Sequence, residues 1–267
     1  MAKVIACIIA RTVSKRLPKK VLKEIYQEYS MLDFIIQRIK NCKKINKVYI
    51  CTSSDKSDDI LENIAEKNNV SIYRGSKSKV IERMIKVGEI NDADYLIRIT
   101  GDNVFTSYEY IDRQIEIIEQ NKLDYVRLHK VPIGATAEVI SYSALQDCYI
   151  HMDPSISEYL MLYIFNPKKY KCGLLIPVKK DYSNYTLTVD TENDYNRTLE
   201  IFDKSEVNDK LNIKLKDIIT TIKLNNIKYS KYSFDGLVKY PYGKIISFKE
   251  YKSDMEEKIN SSSKFFL

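Results

Sequence analysis

The feature that most constrains this chain is the unbroken apolar run over residues 4–10, which ends directly in a polar, strongly basic stretch, residues 11–20. A run apolar at every position, with no alternation, is a strand covered on both faces, and such strands belong to parallel sheets flanked by helices. The following segments keep that grammar. Residues 30–41 place Leu32, Ile35, Ile36 and Ile39 at helical spacing behind Ser30, a natural N-cap. Strands are then expected over 47–52, 70–74, 95–100 and 124–128, and helices over 55–68, 78–89 and 108–121. Strands alternating with amphipathic helices imply βαβ units and a mainly parallel sheet. Beyond Pro132 the pattern loosens. Strands are expected over 137–141, 173–177 and 186–189, and helices over 155–163 and 192–202.

Composition narrows the class of protein. Apolar residues make up 44% and charged residues 30%, the balance of a folded globular chain. The apolar runs are too short to span a bilayer, and no cleavable leader is read at the start. Five scattered cysteines (Cys7, Cys42, Cys51, Cys148, Cys172) without a CxxC pair suit reduced thiols in a cytoplasmic protein. With only His129 and His151 there is little material for histidine-based metal chemistry. Residues 222–267 hold nine lysines against five acids, more than half of the formal +7. That Lys/Tyr-rich tail, 225–267, is expected as an appendage with a disordered extreme end, after a main domain over 1–224. A lysine-rich composition explains the charge better than nucleic-acid binding, so no nucleic-acid partner is expected.

Open parallel sheets bind ligands at the carboxyl ends of their strands, and four features fall at such ends. Residues 11–20 pack five cationic side chains (Arg11, Lys15, Arg16, Lys19, Lys20) into ten positions, the means of holding a triphosphate. The loop is neither a GxxxxGK[ST] phosphate loop nor a GxGxxG turn. Thr100-Gly101-Asp102 puts an acid just past an apolar strand, suited to a magnesium ion facing phosphates. Asp190, in Leu187-Thr188-Val189-Asp190-Thr191, is a second such acid, whereas Asp194 completes a capping box with Thr191. Tyr73-Arg74-Gly75-Ser76 allows close approach of the chain to a base or ribose.

Together and in this order these motifs resemble the cytidylyltransferase family of CMP-sugar synthetases, in particular its SpsF-like spore-coat polysaccharide branch. The resemblance rests on Ala10-Arg11-Thr12-Val13-Ser14-Lys15-Arg16-Leu17-Pro18-Lys19-Lys20-Val21-Leu22, Tyr73–Ser76, Arg98–Asp102, Pro132-Ile133-Gly134 with Ala137-Glu138-Val139, and Leu187–Thr191. It covers roughly residues 3–220 and implies a three-layer α/β/α sandwich with a Rossmann-like sheet of the nucleotide-diphospho-sugar transferase type. It also implies a homodimer, CTP as donor, Mg2+ as cofactor and a small anionic acceptor. Carried over, Arg11, Lys20 and Asp102 are the expected catalytic residues. Arg11, Ser14, Arg16, Lys20, Arg74, Gly75, Ser76 and Asp102 would bind nucleotide, Asp102 and Asp190 metal, and Glu138 and Glu158 the acceptor. Three departures bear on this. Lys19 replaces the loop glycine, which implies that the backbone does not reach the phosphates in the usual way. Lys79 stands where the branch has Asp, and Ser157-Glu158-Tyr159 where it often has Arg-Glu-His. A metal-dependent glycosyltransferase of the same fold and a non-catalytic nucleotide- or RNA-binding module are the competing readings.

Overall fold

A computed structural model of the chain describes residues 2–152, 160–231 and 236–267. The apolar run becomes β1 (Val4–Ile9), buried along nearly its whole length. A small antiparallel pair, β2 (Glu24–Tyr26) and β3 (Tyr29–Ser30), leads into α1 (Met31–Ile39). Ser30 caps that helix in a reciprocal box with Asp33, as its position suggests. There follow β4 (Lys47–Ser53), α2 (Ile60–Lys67), β5 (Ser71–Gly75), α3 (Val80–Asn91), β6 (Tyr95–Thr100), α4 (Ile111–Asn121) and β7 (Tyr125–Leu128). Each lies within a few residues of its expected place.

The second half is less regular. It contains β8 (Glu138–Ser141), α5 (Tyr142–His151), α6 (Leu160–Ile164), β9 (Cys172–Ile176), α7 (Glu192–Lys204) and α8 (Leu215–Leu224). The helix expected over 155–163 falls largely outside the described residues, which hold only its end as α6. Residues 186–189 make no ladder strand. They carry a single parallel bridge, Ile133 to Thr186. The tail forms a hairpin of β10 (Leu237–Lys239) and β11 (Ile245–Ser247), then α9 (Phe248–Asn260) and β12 (Ser263–Phe266).

The main sheet has eight strands in the order β12-β9-β7-β8-β6-β1-β4-β5. All of its pairings are parallel except those of β8, which runs antiparallel to both β6 and β7. Helices α1, α2, α4, α7 and α8 bury one face, and α3, α5, α6 and α9 the other, giving the three-layer sandwich. The expectation of a disordered chain end is overturned. Residues 263–266 pair with β9 as the edge strand of this sheet, and Met255 and Ile259 of α9 pack on its second face. Among the described residues no helix is long and apolar enough to cross a membrane.

Candidate active site

The site is built where β1, an interior strand of the sheet, meets its neighbour β6. Gly101, just past β6, donates its N–H to the carbonyl of Ile9 at 2.8 Å. A Cβ at position 101 would stand 3.1 Å from that of Ala10 and 3.2 Å from the Ile9 oxygen, so a glycine lets the two strand ends touch. The chain then turns, and Asp102 projects beside the basic loop.

That loop is fastened at both ends. Its start is held by Thr12, which donates from its N–H and its hydroxyl to the buried carboxylate of Asp58 at 2.8 and 2.7 Å. Ser53 donates to the other Asp58 oxygen. Burial works against this carboxylate, but the donated hydrogen bonds hold its pKa below the ordinary value. At the other end, Lys19 takes φ 54° and ψ 26° and opens the 3-10 turn of residues 20–22. Its N–H closes on the Thr12 carbonyl at 3.0 Å. Lys19 therefore adopts the left-handed conformation that a glycine reaches freely, so the loop keeps a glycine-type turn despite the side chain. The side chain makes that conformation cost roughly 1–2 kcal/mol. Lys19→Gly should accordingly raise unfolding stability by up to about 1 kcal/mol after the added freedom of the unfolded chain is counted. Urea melts showing a less stable variant would contradict this.

The turn aims Lys20 into a cluster of acids. Its ammonium lies 2.8 Å from Asp102 Oδ2, 2.9 Å from Asp190 Oδ1 and 2.9 Å from the Val189 carbonyl. Its side chain is only 12% exposed. Burial opposes the charge, but the two carboxylates outweigh it and raise the lysine pKa. By the same coupling Asp102, partly shielded from water, is held below the ordinary carboxylate range by Lys20. Arg16, itself largely exposed, reaches the same Asp190 oxygen at 3.0 Å.

Asp190 arrives by a different route. Residues 186–190 are pinned by Leu187 N–H to Ile133 O (2.8 Å) and Val189 N–H to Asp102 O (3.0 Å). The neighbouring turn carries Gly134 at φ +88°, where a Cβ would stand 2.9 Å from the Thr188 nitrogen. Behind Asp190, Thr191 and Asp194 form the expected capping box of α7.

Other candidate residues fall around this centre. Arg11 donates to the Lys77 carbonyl at 3.3 Å, so the basic loop lies against residues 75–79. Ser76 accepts from the Lys79 N–H at 3.3 Å, and Ser14 from the Leu17 N–H at 3.4 Å. Lys79 pairs with Glu82 at 3.6 Å. Arg74 is engaged by neighbouring groups. Its guanidinium is held by Asp59 and Glu62 at 2.5 Å each and by the carbonyls of Ser53 and Asp55. Glu138 is buried in the sheet with both oxygens engaged, one by Arg98 and one by Tyr125, each at 2.5 Å. Burial opposes its charge, but Arg98 and Arg127 keep its pKa low. A buried, doubly bonded carboxylate is fitted to orient Arg98 rather than to touch an acceptor directly. Glu158 lies outside the described residues.

Two features escaped the sequence reading. One is Asp58, the anchor of the basic loop, for which no local motif exists. The other is Arg83 of α3, which is fully buried. It donates to the Cys51 carbonyl at 3.2 Å and leaves Nε and Nη2 without partners among the described residues. Burial and then the charge of nearby Arg11 depress its pKa. A cavity of about 290 Å³ between α6 and α9 is lined by Asn166, Lys168, Tyr240 and Lys258 and shares no residue with the carboxylate cluster.

Comparison with known proteins identifies the family. Residues 5–161 match the model of the cytidylyltransferase family. The spore coat polysaccharide biosynthesis protein SpsF of Bacillus subtilis is 30% identical over 233 residues, 84% of this chain and 96% of that protein. A cytidylyltransferase structure from Leptospira borgpetersenii superposes with a TM-score of 0.79 at 26% identity, covering 88% of this chain and 99% of the other. The fold is shared more distantly by a CMP:2-keto-3-deoxy-manno-octonic acid synthetase complexed with CTP. There the TM-score is 0.59 at 15% identity, over 76% of this chain and 99% of that one. The family match, the similarity over 84% of the chain and the shared α/β sandwich together place this chain in the cytidylyltransferase family of nucleotidyltransferases.

Proposed function

We propose that the protein transfers CMP from CTP to a small anionic acceptor, an acidic sugar or a phosphorylated or phosphonate metabolite, releasing pyrophosphate for surface polysaccharide or glycoconjugate biosynthesis. The observation that carries this reading is the convergence of Lys20, Asp102 and Asp190 at the carboxyl end of β1, beside Arg11 and Arg16. Phosphoryl and nucleotidyl transfer needs positioning and charge neutralisation more than covalent catalysis by side chains. Lys20 and Arg16 are placed to receive phosphate oxygens, and Arg11 to hold the outer side of the nucleotide.

Asp102 and Asp190 fit a divalent ion. Their oxygens converge on one point already filled by positive charge, and both stand at a ligand-binding sheet edge. Among the described residues no third carboxylate, His or Cys joins them, so phosphate oxygens and water would complete the shell. Magnesium bound there would neutralise charge at the reacting phosphate and lower the pKa of the attacking oxygen. The cationic surroundings support an anionic acceptor, and the name of the Bacillus relative, a polysaccharide biosynthesis protein, supports the pathway. The fold weakens the RNA-binding alternative, because the tail is built into the domain, with β12 paired to β9 and α9 packed on the second face of the sheet.

The test is pyrophosphate release from each of the four nucleoside triphosphates against a panel of acidic sugars and phosphorylated metabolites. Acceptor-dependent release with CTP is expected. Tight, steeply salt-dependent RNA binding with no turnover on any member would instead support a polyanion-binding protein.

A further inference from the structure

Lys20 satisfies its three ammonium hydrogens with Asp102, Asp190 and the Val189 carbonyl, all at 2.8–2.9 Å. It engages Oδ2 of Asp102 and Oδ1 of Asp190, one oxygen of each acid on the side where the two converge, so a cation bridging the pair from that side would meet its charge. The protein's own cation thus already occupies the convergence point, and Arg16 adds a second positive charge to Asp190. A lysine and a divalent ion cannot share one pair of oxygens in a largely buried place, because like charges repel strongly where water is scarce. Moving Lys20 away unaided would strip a part-buried ammonium of all its partners. A triphosphate beside the loop removes that obstacle, since its oxygens accept the same three hydrogens.

We infer that Lys20 is an exchangeable counter-ion, which holds the Asp102–Asp190 pair until a triphosphate takes over its ammonium, so that a divalent metal enters only together with nucleotide. The inference rests on the cytidylyltransferase reading and adds an order of events to it. Metal and CTP are then coupled ligands, and each raises the affinity of the other by one common factor. The lack of a third protein ligand among the described residues acts in the same direction, because two carboxylates alone make a poor cage for magnesium.

Mn2+ serves as the probe, with bound ion counted by electron paramagnetic resonance on the full chain. Wild-type protein is expected to bind Mn2+ weakly alone and about tenfold or more tightly with CTP, an ordinary coupling factor. Lys20→Met, which keeps length and removes charge, should bind Mn2+ without nucleotide about tenfold more tightly than wild type, with the CTP enhancement reduced accordingly. Arg16→Gln, on an exposed side chain, should shift the affinity in the same direction by less and with the fold kept. Wild-type protein that binds Mn2+ equally well with and without CTP overturns the inference, whatever the fate of the variants. CTP-dependent Mn2+ binding in wild type with no gain in either variant also overturns it, and leaves the assigned function standing. Absence of any Mn2+–CTP complex overturns both.

Discussion

Asp102→Asn is expected to lower turnover by about 10²–10³-fold, the range for removal of one preorganised electrostatic element from an active site. The amide keeps the shape of the carboxylate and loses its charge, so it is a poorer ligand for a hard cation. The fold should survive, since Lys20 retains Asp190 and the Val189 carbonyl, and the Asp102 carbonyl still accepts from Val189. The measurement is kcat for pyrophosphate release at saturating CTP and limiting magnesium, with a thermal melt to show that the protein is folded. Wild-type kcat in that variant would remove Asp102 from the site. Asp190→Asn should move the rate in the same direction.

The largest effect on stability is expected from Gly134→Ala. Position 134 combines φ +88° with a Cβ that would stand 2.8 Å from Thr188 Cγ2 and 2.9 Å from the Thr188 nitrogen. Backbone strain and the forced contact together should cost about 2–3 kcal/mol, a fall in Tm of roughly 5–10 °C for a chain of this size. Gly243 gives the control. It has φ +71°, yet a Cβ there would meet nothing within 4 Å. Gly243→Ala should therefore show the strain alone, about 1 kcal/mol. Equal losses in the two variants, measured by calorimetry, would mean that the turn at 134 is not pressed against the strand end that carries Asp190.

The parallel half of the sheet is plain in the sequence because strands covered on both faces leave unbroken apolar runs, as β1 does. Past Pro132 that signal fails for physical reasons. β8 has four residues and runs antiparallel, and residues 186–190 gain their extended form from single bonds to Ile133 and Asp102 rather than from a ladder. β12 is four residues long and pairs with a strand about ninety positions earlier, which no local pattern encodes. The acids at strand ends, Asp102 and Asp190, were legible as positions. Their shared partner was not, since Lys20 is 82 and 170 residues from them and meets them only through the sheet order. The same limit applies to Arg74. Its sequence neighbourhood suggests a nucleotide, whereas the parallel pairing of β5 with β4 delivers it to Asp59 and Glu62.

The two acids are mounted on scaffolds of unequal firmness. Asp102 follows a strand hydrogen-bonded on both sides, by β1 and β8, while Asp190 ends a segment hung on a few isolated contacts. Local opening draws first on segments with few ladder bonds. One half of the carboxylate pair is therefore an anvil and the other a detachable jaw. The pair can part while the sheet stays whole, so opening at the site leaves the core of the fold undisturbed.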